Sequence, residues 1–172
     1  MANAPQDIEI ARRHYQPNRI ATLFVGESAP AGGPFFYYAN SGLYYHMKRA
    51  VEDALGHHGA FLDRFQAYGW YLDDLVLTPV NRLRGADRMA KWHHAQTSLA
   101  DRIRRYRPHA IVSLLLGIRE VVHDAASQAD YTGPLHAVPF PARHQARFRS
   151  EFARILPHLP RLDVTGNLVR RR

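Results

Sequence analysis

The chain has 172 residues, of which 46% are hydrophobic and 22% charged, and this length and composition fit a single globular domain. Its 23 lysines and arginines exceed its 15 aspartates and glutamates, and the formal net charge of +8 favours polyanionic partners such as nucleic acid. The lack of cysteine excludes disulfides, thiolate-bound zinc, iron–sulfur clusters and a cysteine nucleophile. The longest apolar run is about half of the ~20 residues that span a bilayer, and the N-terminus has no secretory-signal pattern, so we expect a cytoplasmic protein without a membrane partner.

Four short apolar segments predict the strands of a small sheet. They alternate with segments in which apolar residues recur at helical spacing, a pattern typical of a parallel sheet with helices on both faces. We therefore expect an α/β protein with three layers, α/β/α, and a four-stranded, mainly parallel sheet whose functional site lies at the carboxyl ends of the strands. The strands are predicted near residues 20–25, 70–77, 109–116 and 135–138, and the helices near residues 43–55, 61–65, 98–106, 118–126 and 145–156.

The same pattern predicts one domain with short additions at both ends. We expect residues 1–18 to form an N-terminal extension, residues 19–160 the domain, and residues 161–172 a basic C-terminal tail. For the first long helix, Asn40 and Ser41 are both candidate N-caps.

The loop after the first predicted strand carries the most specific local pattern. The strand ends in Gly26 and Glu27, and a loop rich in glycine and proline then leads to Phe35 and Phe36. Such a loop lets backbone N–H groups approach a flat ligand while an aromatic face stacks on it. The competing interpretation is an ordinary strand-to-helix loop whose aromatic residues belong to the core.

Four short blocks carry a family resemblance. Residues 23–30 end a strand with glycine, glutamate, serine, alanine and proline, and residues 70–76, 111–117 and 138–142 follow as three further blocks. In this order the blocks resemble the motifs of the uracil-DNA glycosylase superfamily, over residues 19–158. The resemblance implies the fold of that superfamily and the hydrolysis of an N-glycosidic bond in DNA.

The resemblance also implies roles for individual residues. Glu27 is implied to position a water molecule and to stabilise positive charge on the sugar, one of the two phenylalanines to stack on the flipped base, and Asp74 to read it. The implied catalytic residues are Glu27, Ser28, His136 and His144, the implied base-binding residues are Gly26, Phe35, Phe36, Asp74 and Phe140, and the implied DNA-backbone contacts are Arg143, Gln145, Arg147 and Arg149.

Two positions depart from the family pattern. Asp74 stands where relatives carry a base-reading asparagine, and an ionised carboxylate accepts a proton from uracil N3 but donates none to O4. This favours a base with an exocyclic amine, or else an Asp74 whose pKa is raised by burial so that it imitates an amide. Phe140 stands at the motif histidine, so His136, His144 or backbone donors would have to stabilise the departing base.

The remaining charged residues support nucleic-acid binding more than metal binding. Residues 82–107 form a basic block that contains Arg88 and Trp92, and aromatic side chains among positive charges can stack on bases. A solvated helix face explains such a block equally well. The adjacent pairs His57-His58 and His93-His94 lack a repeated carboxylate partner, so we expect neither a metal nor another cofactor.

The sequence therefore predicts a monomeric DNA glycosylase-like protein that flips a damaged or deaminated base, uracil or a related one, and hydrolyses its glycosidic bond in base excision repair. The alternative is a catalytically weak or inactive module that binds nucleic acid or nucleotide on the same fold. A third interpretation is an unrelated α/β enzyme that acts on a small molecule in the same crevice.

Overall fold

A computed structural model describes residues 5–169 of the chain. The described residues form four strands and six α-helices. The strands are β1 (Thr22–Ser28), β2 (Trp70–Val76), β3 (Ala110–Ser113) and β4 (Leu135–Ala137). The helices are α1 (Pro5–His14), α2 (Gly42–Leu55), α3 (Phe61–Ala67), α4 (Gly85–Tyr106), α5 (Arg119–Gln128) and α6 (Gln145–Ile155), with 3-10 turns at Phe36–Tyr38, Leu116–Ile118 and Leu156–His158.

The four strands make one sheet in the order β2-β1-β3-β4, and every pair is parallel. Helices α4 and α5 pack together on one side of the sheet, and α2 and α6 pack together on the other. The predicted three-layer α/β/α class is therefore confirmed, and the sheet is wholly parallel. None of the helices within residues 5–169 is long and apolar enough to cross a membrane.

Strands β1 to β3 form where the sequence is mostly apolar, because both faces of a parallel sheet are covered. All seven residues of β2 are buried, including Asp73 and Asp74. Phe24 on β1 contacts Phe65, Trp70 and Phe152, with ring centroids 5.5, 5.6 and 6.3 Å away, and these rings form the centre of the core.

Strand β2 lies at an edge of the sheet, and side chains satisfy part of its open backbone. The Tyr37 hydroxyl donates to the Leu72 carbonyl oxygen at 2.9 Å and accepts from the Leu72 amide at 2.7 Å. Arg12, on α1, also donates to the Leu72 carbonyl oxygen, at 3.4 Å. The loop after β1 and helix α1 thereby cover the edge.

Helix α2 begins as one of the two candidate caps predicts. Ser41 is its N-cap, with its Oγ accepting from the Tyr44 amide at 3.2 Å, while Asn40 accepts from the Phe35 amide at 2.8 Å and closes the preceding loop. Gly56, with φ +84°, ends the helix in a conformation that favours glycine.

Two helices extend beyond their sequence predictions. Helix α1 occupies most of the predicted N-terminal extension, with Ile8 in the core and Arg12 buried. Helix α4 starts at Gly85, whereas the sequence predicts a helix only from about residue 98, because the first half of α4 is largely exposed and has no apolar stripe. At the other end of the chain, Arg170, Arg171 and Arg172 of the predicted basic tail lie outside the described residues.

Candidate active-site cleft

A cleft of about 430 Å³ opens where the carboxyl ends of the strands meet. In the order β2-β1-β3-β4, the connection after β1 runs to β2 on one side and the connection after β3 runs to β4 on the other, and ligands of parallel α/β sheets bind at such a switch point. The cleft brings together eight of the residues that the sequence assigned to a site: Gly26, Glu27, Ser28, Phe35, Phe36, Asp74, Phe140 and Gln145.

Aromatic and aliphatic side chains form most of the cleft wall. Phe35 and Phe36 are both buried, and Phe36 also packs against Phe65 in the core, with ring centroids 5.2 Å apart. Phe35 and Phe36 therefore belong to the core and also line the cleft, so the interpretation as core residues and the interpretation as ligand-stacking residues are compatible. Phe140, by contrast, is 39% exposed at the cleft wall.

Asp74 lies in the cleft beside the backbone of Gly26, which is its partner in the parallel register. Its Oδ2 accepts from Arg12 Nη2 at 2.7 Å. Its Oδ1 accepts no side-chain hydrogen bond within residues 5–169, and a Cβ atom placed on Gly26 would collide with it. The glycine therefore leaves Oδ1 uncovered on the cleft side.

The surroundings of Asp74 act on its pKa in opposite directions. Burial raises the pKa of the Asp74 carboxyl above its ordinary value, and the positive charge of Arg12 partly opposes this. The direction is the one that the sequence analysis required for an aspartate that imitates an amide.

Asp73 and Arg102 complete the buried charged cluster, which we define as Arg12, Asp73, Asp74 and Arg102. Arg102 Nη1 donates to Asp73 Oδ2 at 2.5 Å and to the Asp74 carbonyl oxygen at 2.8 Å. The Tyr106 hydroxyl also donates to Asp73 Oδ2, at 3.2 Å, and its pKa is raised to about 12 by burial and by the charge of Asp73. Two arginines thus balance two carboxylates behind the cleft.

Glu27 forms a second group, the Glu27 cluster, with Arg88 and Trp92. Arg88 binds both carboxylate oxygens, with Nε donating to Oε1 and Nη2 to Oε2. Trp92 Nε1 donates to Oε1 at 2.9 Å. Both partners lie on α4, so the exposed start of this helix is fixed to the end of β1.

Ser28 follows Glu27 at the end of β1 and lines the cleft. Its Oγ accepts from the Val80 amide at 3.4 Å, which ties the loop after β2 to the end of β1. Within the described residues, this is the hydrogen bond that the Ser28 side chain forms.

Neither of the two predicted histidines lines the cleft. His136 lies on β4 and lines a separate cavity with Ser113 and His123, and burial lowers its pKa. His144 is exposed just before α6. The histidine that lines the cleft is His46 on α2, which the sequence analysis missed because His46 lies on the polar side of the helical pattern.

Of the four predicted DNA-backbone residues, one lines the cleft and three are exposed outside its lining. Gln145 lines it, and Arg143 is exposed in the preceding turn. Arg147 is exposed on α6 and binds Glu151 at 2.6 Å, while Arg149 lines a shallow groove that also includes Asp53.

Sequence reasoning missed three other residues of the site. Arg12 was assigned to an extension because a single buried arginine leaves no periodic signal. Arg88 and Trp92 were noted only as members of a basic block, although their spacing of four residues places them on one helix face.

Comparison with known proteins adds no relative from which a role could be transferred. The sequence matches no protein-family model, and no curated protein is significantly similar to it.

Proposed function

We propose that the protein is a DNA glycosylase that flips a damaged or deaminated base, uracil or a related one, into the cleft and hydrolyses its N-glycosidic bond. One observation carries the proposal. Arg12 holds Oδ2 of Asp74, and Oδ1, the other oxygen of this carboxyl, accepts no side-chain hydrogen bond within residues 5–169 and lies in a largely apolar cleft beside Phe35. Oδ1 is therefore free to form a hydrogen bond with a ligand that enters the cleft.

A nucleobase meets the requirements of this cleft. Its flat ring packs against aromatic walls, and its polar edge hydrogen-bonds with a side chain, which is how enzymes recognise a flipped base. With Oδ2 held by Arg12, the reading atom of Asp74 is Oδ1. When ionised, this oxygen accepts from a ring or exocyclic N–H, and when protonated it donates to a carbonyl.

Glu27 supplies the second chemical element of the proposal. Cleavage of a glycosidic bond builds positive charge on the sugar, and a nearby carboxylate stabilises that charge and positions the attacking water. Glu27 is only one residue along β1 from Gly26, the strand partner of Asp74. The charge-stabilising group and the base-reading group therefore lie in one cleft.

DNA is the favoured partner because of the charge of the chain. The net charge of +8 attracts a polyanion, and the exposed Arg143 and Arg147 lie beside the cleft on the side of α6. A monomer that contacts the strand through these arginines while a base enters the cleft fits this distribution.

The test is release of a base from labelled oligonucleotides that contain uracil, hypoxanthine, xanthine or mismatched thymine, read as strand cleavage after alkali. We expect abasic product from the wild type, a loss of about 100-fold or more in Glu27→Gln, and a changed base preference in Asp74→Asn. Lys91→Gln, on the exposed side of α4, is the matched charge control. Wild-type protein that leaves every base intact would refute the hydrolase.

A binding module without hydrolysis is the second candidate, and the Glu27 cluster favours it. Both oxygens of Glu27 already bind Arg88, and Oε1 also binds Trp92, which leaves little of the carboxylate for a water molecule. Salt-sensitive binding of the same oligonucleotides without abasic product would establish this alternative.

A further inference from the structure

We propose that His46 is a catalytic residue of this cleft, donating a hydrogen bond and then a proton to the departing base. This inference rests on the proposed function and names the group that the loss of the motif histidine at Phe140 leaves unassigned.

The position of His46 meets the first requirement. His46 lies in the second turn of α2, and its side chain lines the cleft together with Glu27 and Asp74. Its ring packs edge-on against Phe148 of α6, with centroids 6.3 Å apart and planes at 69°. Packing against a fully buried phenylalanine restricts the ring while leaving its nitrogens available.

The other ionisable side chains that line the cleft form ion pairs, whereas His46 forms none within the described residues. Four ionisable side chains line the cleft, and Glu27 and Arg88 bind each other while Asp74 binds Arg12. Within the part of the chain that the structure describes, His46 forms neither a side-chain hydrogen bond nor an ion pair. It is therefore the lining group that can exchange a proton without first breaking an ion pair.

The chemistry needs such a group. When the bond between C1′ of the sugar and the ring nitrogen breaks, its electron pair leaves with the base, and negative charge develops there. The His46 imidazolium N–H stabilises this charge and gives its proton to the base. Water adds to C1′, and the proton that the water loses returns to the imidazole through solvent, so that the net reaction is hydrolysis. Histidine suits this role because an imidazole can both donate and accept a proton.

The test compares two departing bases of different acidity. His46→Phe keeps an aromatic ring against Phe148 but has no donor, and the matched control is His123→Gln on the exposed face of α5. We expect His46→Phe to slow release of uracil by about 100-fold but release of 5-fluorouracil by less than about 10-fold, since fluorine already stabilises the departing anion. Equal losses for the two bases would overturn the proposal, because a merely structural defect does not depend on the leaving group.

If the wild type releases neither base, that outcome counts against the proposed hydrolase. A binding measurement then still tests whether His46 contacts the base. Free 5-nitrouracil is an anion at neutral pH, and free uracil is uncharged. We expect the wild type to bind the anion at least about tenfold more tightly than uracil by calorimetry, and His46→Phe to lose this preference. An unchanged preference in His46→Phe would refute contact between His46 and the charge of the base.

Discussion

The two charged groups at the ends of β1 and β2 differ in burial, and this difference separates a fixed part of the cleft from an adjustable one. In the buried charged cluster, the side chains of Arg12 and Asp74 are 3% and 6% exposed. In the Glu27 cluster, the side chains of Arg88 and Glu27 are 30% and 16% exposed. Removing one partner of a buried pair leaves a charge that water cannot reach, whereas an exposed partner is replaced by solvent.

The buried cluster therefore fixes the orientation of Asp74, the residue proposed to read the base, before any ligand arrives. Arg12 holds Oδ2 of Asp74, and Arg102 holds the backbone behind it. A side chain that is already oriented loses less conformational entropy when a ligand binds. The Glu27 cluster instead joins the end of β1 to a partly exposed helix, so breaking the pair of Arg88 and Glu27 carries a smaller folding penalty.

The largest effect on stability is expected when Arg12 is removed from the buried charged cluster. We expect Arg12→Met to lower the free energy of unfolding by about 3–5 kcal/mol, because Asp73 and Asp74 would share a single arginine. Urea denaturation at pH 7 measures the change. Arg12→Met combined with Asp74→Asn should recover part of this loss of stability, since the unpaired carboxylate is then removed. A loss below about 1 kcal/mol in Arg12→Met alone would show that the buried charged cluster is no more sensitive than the exposed one.

The pH dependence of stability isolates Asp74. Because the folded-state pKa of this carboxyl is raised, the folded protein binds the proton more tightly than the unfolded chain, and ionising Asp74 works against folding. The unfolding free energy of the wild type minus that of Asp74→Asn should therefore fall as the pH rises from about 4 through the folded-state pKa, by at most about 1.4 kcal/mol per pH unit. Urea titrations of both proteins between pH 4 and 8 give this difference, and a difference that grows with pH would show that Arg12 dominates instead.

The smallest effect on stability is expected in the Glu27 cluster, whose side chains are partly exposed. Arg88→Met should lower the free energy of unfolding by less than about 1 kcal/mol, because water replaces the lost ion pair at a partly exposed position. Thermal or urea unfolding, with Lys91→Met as the neighbouring control, measures this. A loss as large as that of Arg12→Met would mean that both clusters are equally fixed.

The strands of the sheet could be predicted from the sequence more fully than the charged residues around the cleft. The mostly apolar runs of β1, β2 and β3 predicted buried strands because both faces of the sheet are covered. The site was expected at the carboxyl ends of these strands, where the cleft opens. Arg12 was not predictable in this way, since its partner Asp74 is 62 residues away and its burial depends on how α1 docks. His46 and Arg88 were likewise hidden, because polar residues on a helix usually face solvent and only the packed structure shows which of them face a cavity.

The Tyr37 hydroxyl at the edge of β2 affects how the protein behaves in concentrated solution. An open edge strand offers unpaired N–H and C=O groups on which a second molecule can add a strand, which is a common start of aggregation. At Leu72 these two groups already bind Tyr37, so a neighbouring chain finds no register there that does not first break two hydrogen bonds. The tyrosine thus covers part of the open edge of the strand that carries Asp74.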